Sequence, residues 1–369
     1  MAKIFLVDLE AVETRYTAQW KSYVPELLKK AGHDVQVISG PEDIPSATTP
    51  GAFLNFGGTN IYKSRQVETM GRLFCAGAVG AGDHFLFTDA WHPGIINLKY
   101  MSELLGTPVK IHALWHAGSY DPADFLGRLI GDAPWVRHAE KSFFSAIDYN
   151  YFATDFHIEM FVRNLLNDDS VLANPWIEDD LTEILAGDCE SIVRTGWPMD
   201  YMDQTLQPYK GMKKRNLIVF PHRIAPEKQV EIFRDLAQQL PQYEFVVCQD
   251  QQLTKNEYHN ILGEAKIVFS ASLQETLGIG CYEGAIVDAI PMVPDRLSYH
   301  EMYLDEFKYP SVWTIDNDNY KTHRKDVCDR IVDYIENYDR YLPALKKQTN
   351  LLTKDFFSAG RLLDNIKNK

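Results

Sequence analysis

Residues 275 to 283 read Glu275-Thr-Leu-Gly-Ile-Gly-Cys-Tyr-Glu283, two carboxylates eight positions apart around Gly278 and Gly280, followed by an apolar run that ends at Pro291 and Pro294. An ionised carboxylate only accepts hydrogen bonds, and its two oxygens match a pair of adjacent hydroxyls such as a ribose presents. The glycines allow positive φ and close backbone approach, so the turn can lie against a ligand. It can also open a helix whose N-terminus favours a diphosphate. Together these groups suit a nucleotide sugar, with Glu283 one or two turns inside the helix. Taken alone, they also fit two surface acids beside a loop.

Other segments supply complementary chemistry. Phe220-Pro-His-Arg223-Ile-Ala-Pro-Glu227-Lys228 follows a candidate strand; the Arg223 fork and the Lys228 point charge could neutralise a diphosphate, or could sit on a solvated loop before a helix. Gly82-Asp-His-Phe-Leu-Phe-Thr-Asp89 delivers an aspartate at a strand's C-terminal end, where ligands bind in open α/β sheets. Asp89 is a candidate general base there, or the cap of the next segment. Trp91, close behind it, could stack on a base or sugar, or merely pack. In Trp115-His116-Ala-Gly118-Ser119-Tyr120-Asp121, His116 could donate to a phosphate or sugar hydroxyl and Gly118 allows close approach, beside Ser119. The plainer reading of His116 is a satisfied structural histidine. Arg15, Lys21, Lys63 and Arg65, with Lys213, Lys214 and Arg215, could contact a phosphate backbone, or simply face solvent.

These residues need a scaffold, and the pattern around them is βα repetition. An apolar strand at Lys3 to Val7, a helix at Tyr16 to Lys30, a stop at Gly32 and a strand at Asp34 to Ile38 open a parallel sheet with crossover helices. Further strands are expected at Ala52 to Asn55, His84 to Thr88, Lys110 to Trp115 and Tyr151 to Thr154. The stretches Gly196 to Tyr201 and Gln207 to Arg215, rich in turn formers and charge, read as a linker. A second series follows: strands at Asn216 to Phe220, Glu244 to Cys248, Ile267 to Ser270 and Pro291 to Val293, and helices at Glu227 to Gln239 and Asn256 to Gly263. The expected fold class is α/β, with two Rossmann-like doubly wound domains at 1–200 and 213–325. C-terminal helices in 326–369 are expected to cross back to the first domain.

Composition agrees with that frame. A chain of 369 residues with 45% apolar content exceeds the usual single core. No apolar run approaches the ~18 residues of a membrane span, and the opening MAKIFLVDLE is too short and acidic for a secretory signal. A soluble cytoplasmic protein is expected. The five cysteines show no metal-binding spacing, which fits reduced thiols without disulfides or structural zinc. A formal charge of −14 weighs against a protein that coats nucleic acid, while local basic patches stay compatible with it.

On these residues the chain resembles the GT-B glycosyltransferases, whose two doubly wound domains face across a cleft, nucleotide sugar on the C-terminal side and acceptor on the N-terminal side. Arg223 to Lys228 looks like the R-x-x-x-x-K phosphate segment of that superfamily. Glu275 to Glu283 resembles the E-x7-E signature of its retaining members, which implies Glu283 on the ribose and Glu275 near the donor sugar. Within the superfamily, the strand ending at Asp89 resembles the Y-Y-L-F-T-D segment of bacteriophage DNA β-glucosyltransferases, which glucosylate 5-hydroxymethylcytosine and whose aspartate at that point is the base. Leu54-Asn-Phe-Gly-Gly-Thr-Asn60 resembles their asparagine-bearing strand end and F-F-G-G segment. Tyr282-Glu283-Gly-Ala-Ile-Val-Asp288-Ala-Ile-Pro-Met-Val-Pro-Asp295 parallels their W-E-T-M-A-S-D-A-V-M-L-I-D run.

The resemblance implies a UDP-sugar donor bound by Arg223, Lys228, Gly278, Gly280 and Glu283, with no obligatory metal. The implied acceptor is a hydroxymethylpyrimidine in duplex DNA, approached by Arg15, Asn60, Trp91, His116, Gly118 and Ser119. The catalytic candidates are Asp89 and Glu275. Two departures stand out. Gly280 and Cys281 occupy the place of an arginine in the phage enzymes, and a retaining-type Glu275 coexists with an inverting-type Asp89. Alternatives are a retaining transferase acting on a polysaccharide, lipid or small molecule, a non-catalytic nucleotide-sugar module, and a sugar epimerase.

Overall fold

The computed structural model describes residues 2–12, 15–45, 54–131, 133–166 and 190–368. These form two compact units, Met1–Thr195 with Gly360–Lys369, and Gly196–Ala359. Of the C-terminal helices, Asn317–Glu336 and Tyr338–Asp355 belong to the second unit, and the one from Gly360 onward to the first.

The first unit carries a parallel sheet of β1 (Lys3–Val7), β2 (Asp34–Ile38), β3 (His84–Phe87), β4 (Lys110–Leu114), β5 (Tyr149–Phe152) and β6 (Ile192–Arg194), in the order β2-β1-β3-β4-β5-β6. Strands β1, β3 and β4 read as nearly unbroken apolar runs because helices cover both faces of a parallel sheet. The edge strand β2 is more exposed. Phe5, Phe85, Ile111, Trp115, Phe152 and Phe161 lie at the centre of the core. The strand order reverses between β1 and β3, the kind of position beside which open α/β sheets bind ligands at their C-terminal strand ends.

The second unit repeats the plan with β7 (Arg215–Phe220), β8 (Glu244–Val247), β9 (Ala265–Phe269), β10 (Ile290–Pro294) and β11 (Lys308–Tyr309), in the order β11-β10-β9-β7-β8. Here the reversal falls between β7 and β9. Between the two stretches read as a linker lies the helix Tyr201–Leu206. Of the strand expected at Ala52 to Asn55, the first two residues lie outside the described ones. Its last residue instead caps the helix Phe56–Cys75, the Asn55 side chain accepting the Gly58 N–H at 2.8 Å.

A polar chain crosses the first sheet and holds the C-terminal helix against it. The Tyr151 hydroxyl donates to Asn365 Oδ1 at 2.8 Å and accepts from His112 Nδ1 at 2.6 Å, so His112 Nε2 is left to accept from His84 Nδ1 at 2.9 Å. This direction fixes both imidazole tautomers. Burial holds the His112 imidazole well below the ordinary histidine range. Replacing Tyr151 with Phe strands the His112 N–H and the Asn365 carbonyl. The expected cost is about 1–3 kcal/mol, with faster amide exchange in the helix from Gly360, read by thermal melting and hydrogen exchange.

The same unit buries other neutral histidines. Burial lowers His92 and His157 to about 3 and His116 to about 4, from an ordinary value of 6.5. The unfolded chain therefore takes up protons first as pH falls. The stability these groups contribute is complete above pH 6.5 and is lost as pH drops toward their folded values. We expect the unfolding free energy of the first unit, from urea melts followed by tryptophan fluorescence, to fall between pH 7.5 and 5.5 by roughly 1 kcal/mol per buried histidine.

Candidate functional site

In the second unit the loops after β7 and β9 lie side by side because those strands are neighbours in the sheet. The loop after β7 begins Pro221-His222-Arg223 and makes a tight 3-10 turn at Pro226–Lys228 before the helix Val230–Gln239. Gln229, in the left-handed region at φ 54°, ends the turn, which is why the helix starts later than Glu227. Its side-chain amide donates to Ala271 O at 2.6 Å and Thr314 O at 2.7 Å. The Leu273 N–H donates to Glu227 O at 2.7 Å.

Lys228 completes the junction. Its ammonium is buried, donates to the Gln274 carbonyl, and pairs with Glu275 Oε2 at 3.1 Å. Burial alone would raise the Glu275 carboxyl. Lys228, His222 and the Gly278 N–H outweigh it, so Glu275 lies below its usual range. His222 is buried beside this pair and lowered to about 3, chiefly by burial and then by Lys228. Arg223 pairs with the buried Glu227.

Gly278 adopts φ +74° and begins the helix Ile279–Ile286; a Cβ there would lie 2.6 Å from the Tyr299 ring. Tyr299 is itself bonded to Ser270 Oγ at 3.1 Å. At Gly280 an added Cβ would approach Pro221 to 3.0 Å, so the glycine lets the two loops close on each other. One and a half turns on, Glu283 is buried and accepts the Tyr258 hydroxyl at 2.7 Å, with His259 Nε2 at 3.8 Å from its other oxygen. Burial raises the Tyr258 phenol well above its ordinary range, Glu283 adding to it. Tyr258 therefore stays a proton donor to the glutamate.

In the first unit Asp89 lies just past β3, beside the strand-order reversal. Its Oδ2 faces Lys63 Nζ at 3.2 Å and its Oδ1 accepts the Trp91 N–H at 3.0 Å. Burial raises this carboxyl, but Lys63 and then His116 and the Trp91 N–H bring it down to about 2. The Trp91 indole donates to Glu140 Oε1 at 2.9 Å. Glu140 also accepts the Ser119 N–H at 2.7 Å and the Ser119 hydroxyl at 2.6 Å, and burial raises its carboxyl. Gly118 has room for no side chain: a Cβ would sit 2.3 Å from Tyr120 and 2.8 Å from Glu140 Oε1. One buried glutamate thus fixes both Trp91 and the Gly118-Ser119 turn.

His116 is spoken for on both sides. Its Nε2 donates to Thr88 O at 2.6 Å, which leaves Nδ1 to accept the Tyr16 hydroxyl at 2.5 Å. The expectation of a histidine donating to a phosphate or sugar gives way to a neutral structural residue. Asn60 is exposed and donates within its own helix to Phe56 O at 2.7 Å. The Arg15 guanidinium lies 5.4 Å from the Tyr16 ring centre.

The cations that could contact a phosphate backbone differ in how they are engaged. Lys63 is buried on Asp89, and Lys214 is tied to Gly263 O at 2.9 Å and Val287 O at 2.5 Å. Arg215 pairs with Glu244 and Glu264, and Arg65 with Glu68 at 2.6 Å. Among the described residues no group of three or more histidines, cysteines, aspartates or glutamates is placed to hold a metal ion. No described helix is long and apolar enough to cross a membrane.

Sequence reasoning missed Arg296, Tyr258 and Glu140. Arg296 bonds Ser272 O and Ala271 O, each at 2.8 Å, and Ser311 O at 2.9 Å, fixing the loop after β9 from behind. Glu140 alone left a trace, an acid on the stripe with Val136, Phe143 and Phe144.

The fold has counterparts among solved structures. Over its full length the chain superposes on sucrose-phosphate synthase from Thermosynechococcus elongatus, with TM-score 0.59, 10% identity and 98% of that chain covered. HepE from Anabaena, in complex with UDP and glucose, gives 0.56 and 12% over 100% of this chain and 99% of that one. An alpha-glucosyltransferase in complex with UDP and a 13-mer DNA containing a central A:G mismatch gives 0.56 and 10% over the same shares. The fold is that of the GT-B glycosyltransferases. No protein-family model matches the sequence, and no curated protein does.

Gly278 offers a direct test of the turn. Gly278→Ala forces a left-handed alanine, about 1–2 kcal/mol, and displaces the Tyr299 ring. Thermal melting of the variant is expected about 2–8 °C lower.

Proposed function

We propose that the chain is a glycosyltransferase that moves a sugar from a UDP-sugar to a hydroxyl acceptor. The observation that carries this reading is the placement of Arg223 and Lys228 on the loop after β7 against Glu275 and Gly278 on the loop after β9, with Glu283 in the helix that Gly278 opens, at the strand-order reversal of the second unit. Arg223, Lys228 and the first N–H groups of the helix Ile279–Ile286 take the diphosphate. Glu283, oriented by Tyr258, takes the ribose hydroxyls, and Glu275 the donor sugar. Departure of the diphosphate needs positive charge at the leaving oxygen, and Arg223 and Lys228 supply it. No step calls for a metal.

In the first unit Asp89 accepts the acceptor hydroxyl's proton as that oxygen bonds to the anomeric carbon and the bond to the phosphate oxygen breaks. A carboxylate near 2 is a weak base toward a free alcohol. It becomes competent as bond formation makes the hydroxyl acidic, so proton transfer accompanies bond making. This is an inverting displacement, with Glu275 confined to binding.

The finer proposal for the acceptor is a 5-hydroxymethylpyrimidine in duplex DNA. It draws on the strand delivering Asp89, and on the alpha-glucosyltransferase of like fold with DNA bound. A second reading, a carbohydrate or other small acceptor, is favoured by the inward ties of Lys63 and Lys214, which remove two cations from any backbone-binding groove.

A panel of UDP-sugars offered with hydroxymethylated duplex, unmodified duplex and free glucose separates the two. A mass gain on hydroxymethylated nucleosides supports the DNA acceptor, while gain on glucose alone selects the second reading. Loss of every transfer would overturn both. With the active pair, Asp89→Asn is expected to lower kcat by roughly 10²–10⁴. Arg223→Ala should raise the donor KM by about 10–100-fold.

A further inference from the structure

The helix Phe56–Cys75 turns Thr59, Tyr62, Lys63, Gln66 and Met70 inward. The Lys63 stem is buried with them, and its ammonium ends on Asp89 Oδ2 at 3.2 Å and on the Trp91 carbonyl at 2.6 Å. The Trp91 N–H returns to Asp89 Oδ1 at 3.0 Å. Both carboxylate oxygens therefore have a donor, and the ammonium anchors the residue that supplies the second. A buried charge pair of this kind is costly to break from one side, because the remaining partner is left uncompensated.

We propose that Lys63 is a positioning residue for Asp89: it keeps the carboxylate ionised and fixes its direction at the end of β3, without touching the reacting atoms. The proposal rests on the reading of Asp89 as the base. Arg223 and Lys228 stabilise the leaving group; Lys63 has a different task on the acceptor side. It makes the base constant across pH at the expense of its strength.

Other groups face the carboxylate. His116 comes from the loop after β4, Tyr16 from the start of the helix Tyr16–Lys30, His92 from Asp89's own loop, and Tyr120 from beyond the Gly118-Ser119 turn. His116 is neutral at pH 7, held by Thr88 O and the Tyr16 hydroxyl, and burial keeps His92 neutral as well. Lys63 is the cation in contact. Without it, burial governs and the carboxyl moves up.

Two measurements test this. Carbon-13 carboxyl NMR of the full chain reads the Asp89 titration without turnover, and the pH profile of kcat/KM with the donor and acceptor pair found active in the panel reads its consequence. In Lys63→Met both the Asp89 midpoint and the acid limb should rise by about 1–3 pH units, and Lys63→Arg should bring them most of the way back. Lys63→Gln keeps donors but no charge and covers the case in which Met does not fold; its midpoint should rise too. An Asp89 midpoint that stays near its original value in either uncharged variant overturns the proposal. An Asp89→Asn enzyme with undiminished turnover overturns the base reading beneath it, whereas an inactive Asp89→Asn beside an unmoved acid limb overturns the role of Lys63 alone.

Discussion

Lys228 reaches from the loop after β7 into the loop after β9, and the second unit's candidate site depends on that reach. Its ammonium holds the Gln274 carbonyl and the Glu275 carboxylate, while Gln229 and the Glu227 carbonyl bind Ala271 and Leu273 on either side. Adjacent parallel strands bring two loops near one another but do not fix their conformations. The ion pair and its flanking hydrogen bonds do so, and Arg296 closes the arrangement from behind. Because the pair is buried, each partner leaves the other more costly to remove than to keep. Side chains suited to phosphate and sugar therefore start from a rigid frame, which limits the ordering entropy that binding must overcome.

The first unit reaches the same end with opposite charges. There the carboxylate of Asp89 carries the proposed chemistry and the ammonium of Lys63 restrains it; in the second unit the cations carry the proposed charge compensation and the carboxylates restrain them. Glu140 adds a second centre by holding Trp91 and Ser119 at once. Both frames sit where strand order reverses, so one topological rule accounts for their location and two separate electrostatic solutions for their rigidity.

The scaffold was legible because its signals are local. Lys3 to Val7, Tyr16 to Lys30 and Asp34 to Ile38 appear with the expected bounds, since unbroken apolar runs and a helix stop at Gly32 suffice to define them. Strands β6 and β11, with three and two residues, are too short to show a period. Asn55 was misread because an N-cap and a strand end share the same extended backbone. In the site, the identity of Lys63 was visible and its direction was not. A lysine among alternating charges suggests solvent, yet its neighbours on the helical stripe, Tyr62, Gln66 and Met70, all point inward. Partners such as Tyr258 for Glu283 arise from packing between helices 25 residues apart in sequence, which no local pattern encodes.

The helix held by Tyr151 and Asn365 has a consequence for biosynthesis. The first unit is discontinuous: its sheet is made early, but the segment that satisfies the Tyr151 hydroxyl follows the whole of the second unit in the chain. During synthesis the sheet must wait with one polar chain ended in solvent while more than a hundred and fifty later residues, 196–359, emerge and fold. Closing the first unit therefore requires residues made after the whole of the second, a constraint set by the path of the chain rather than by the stability of either sheet.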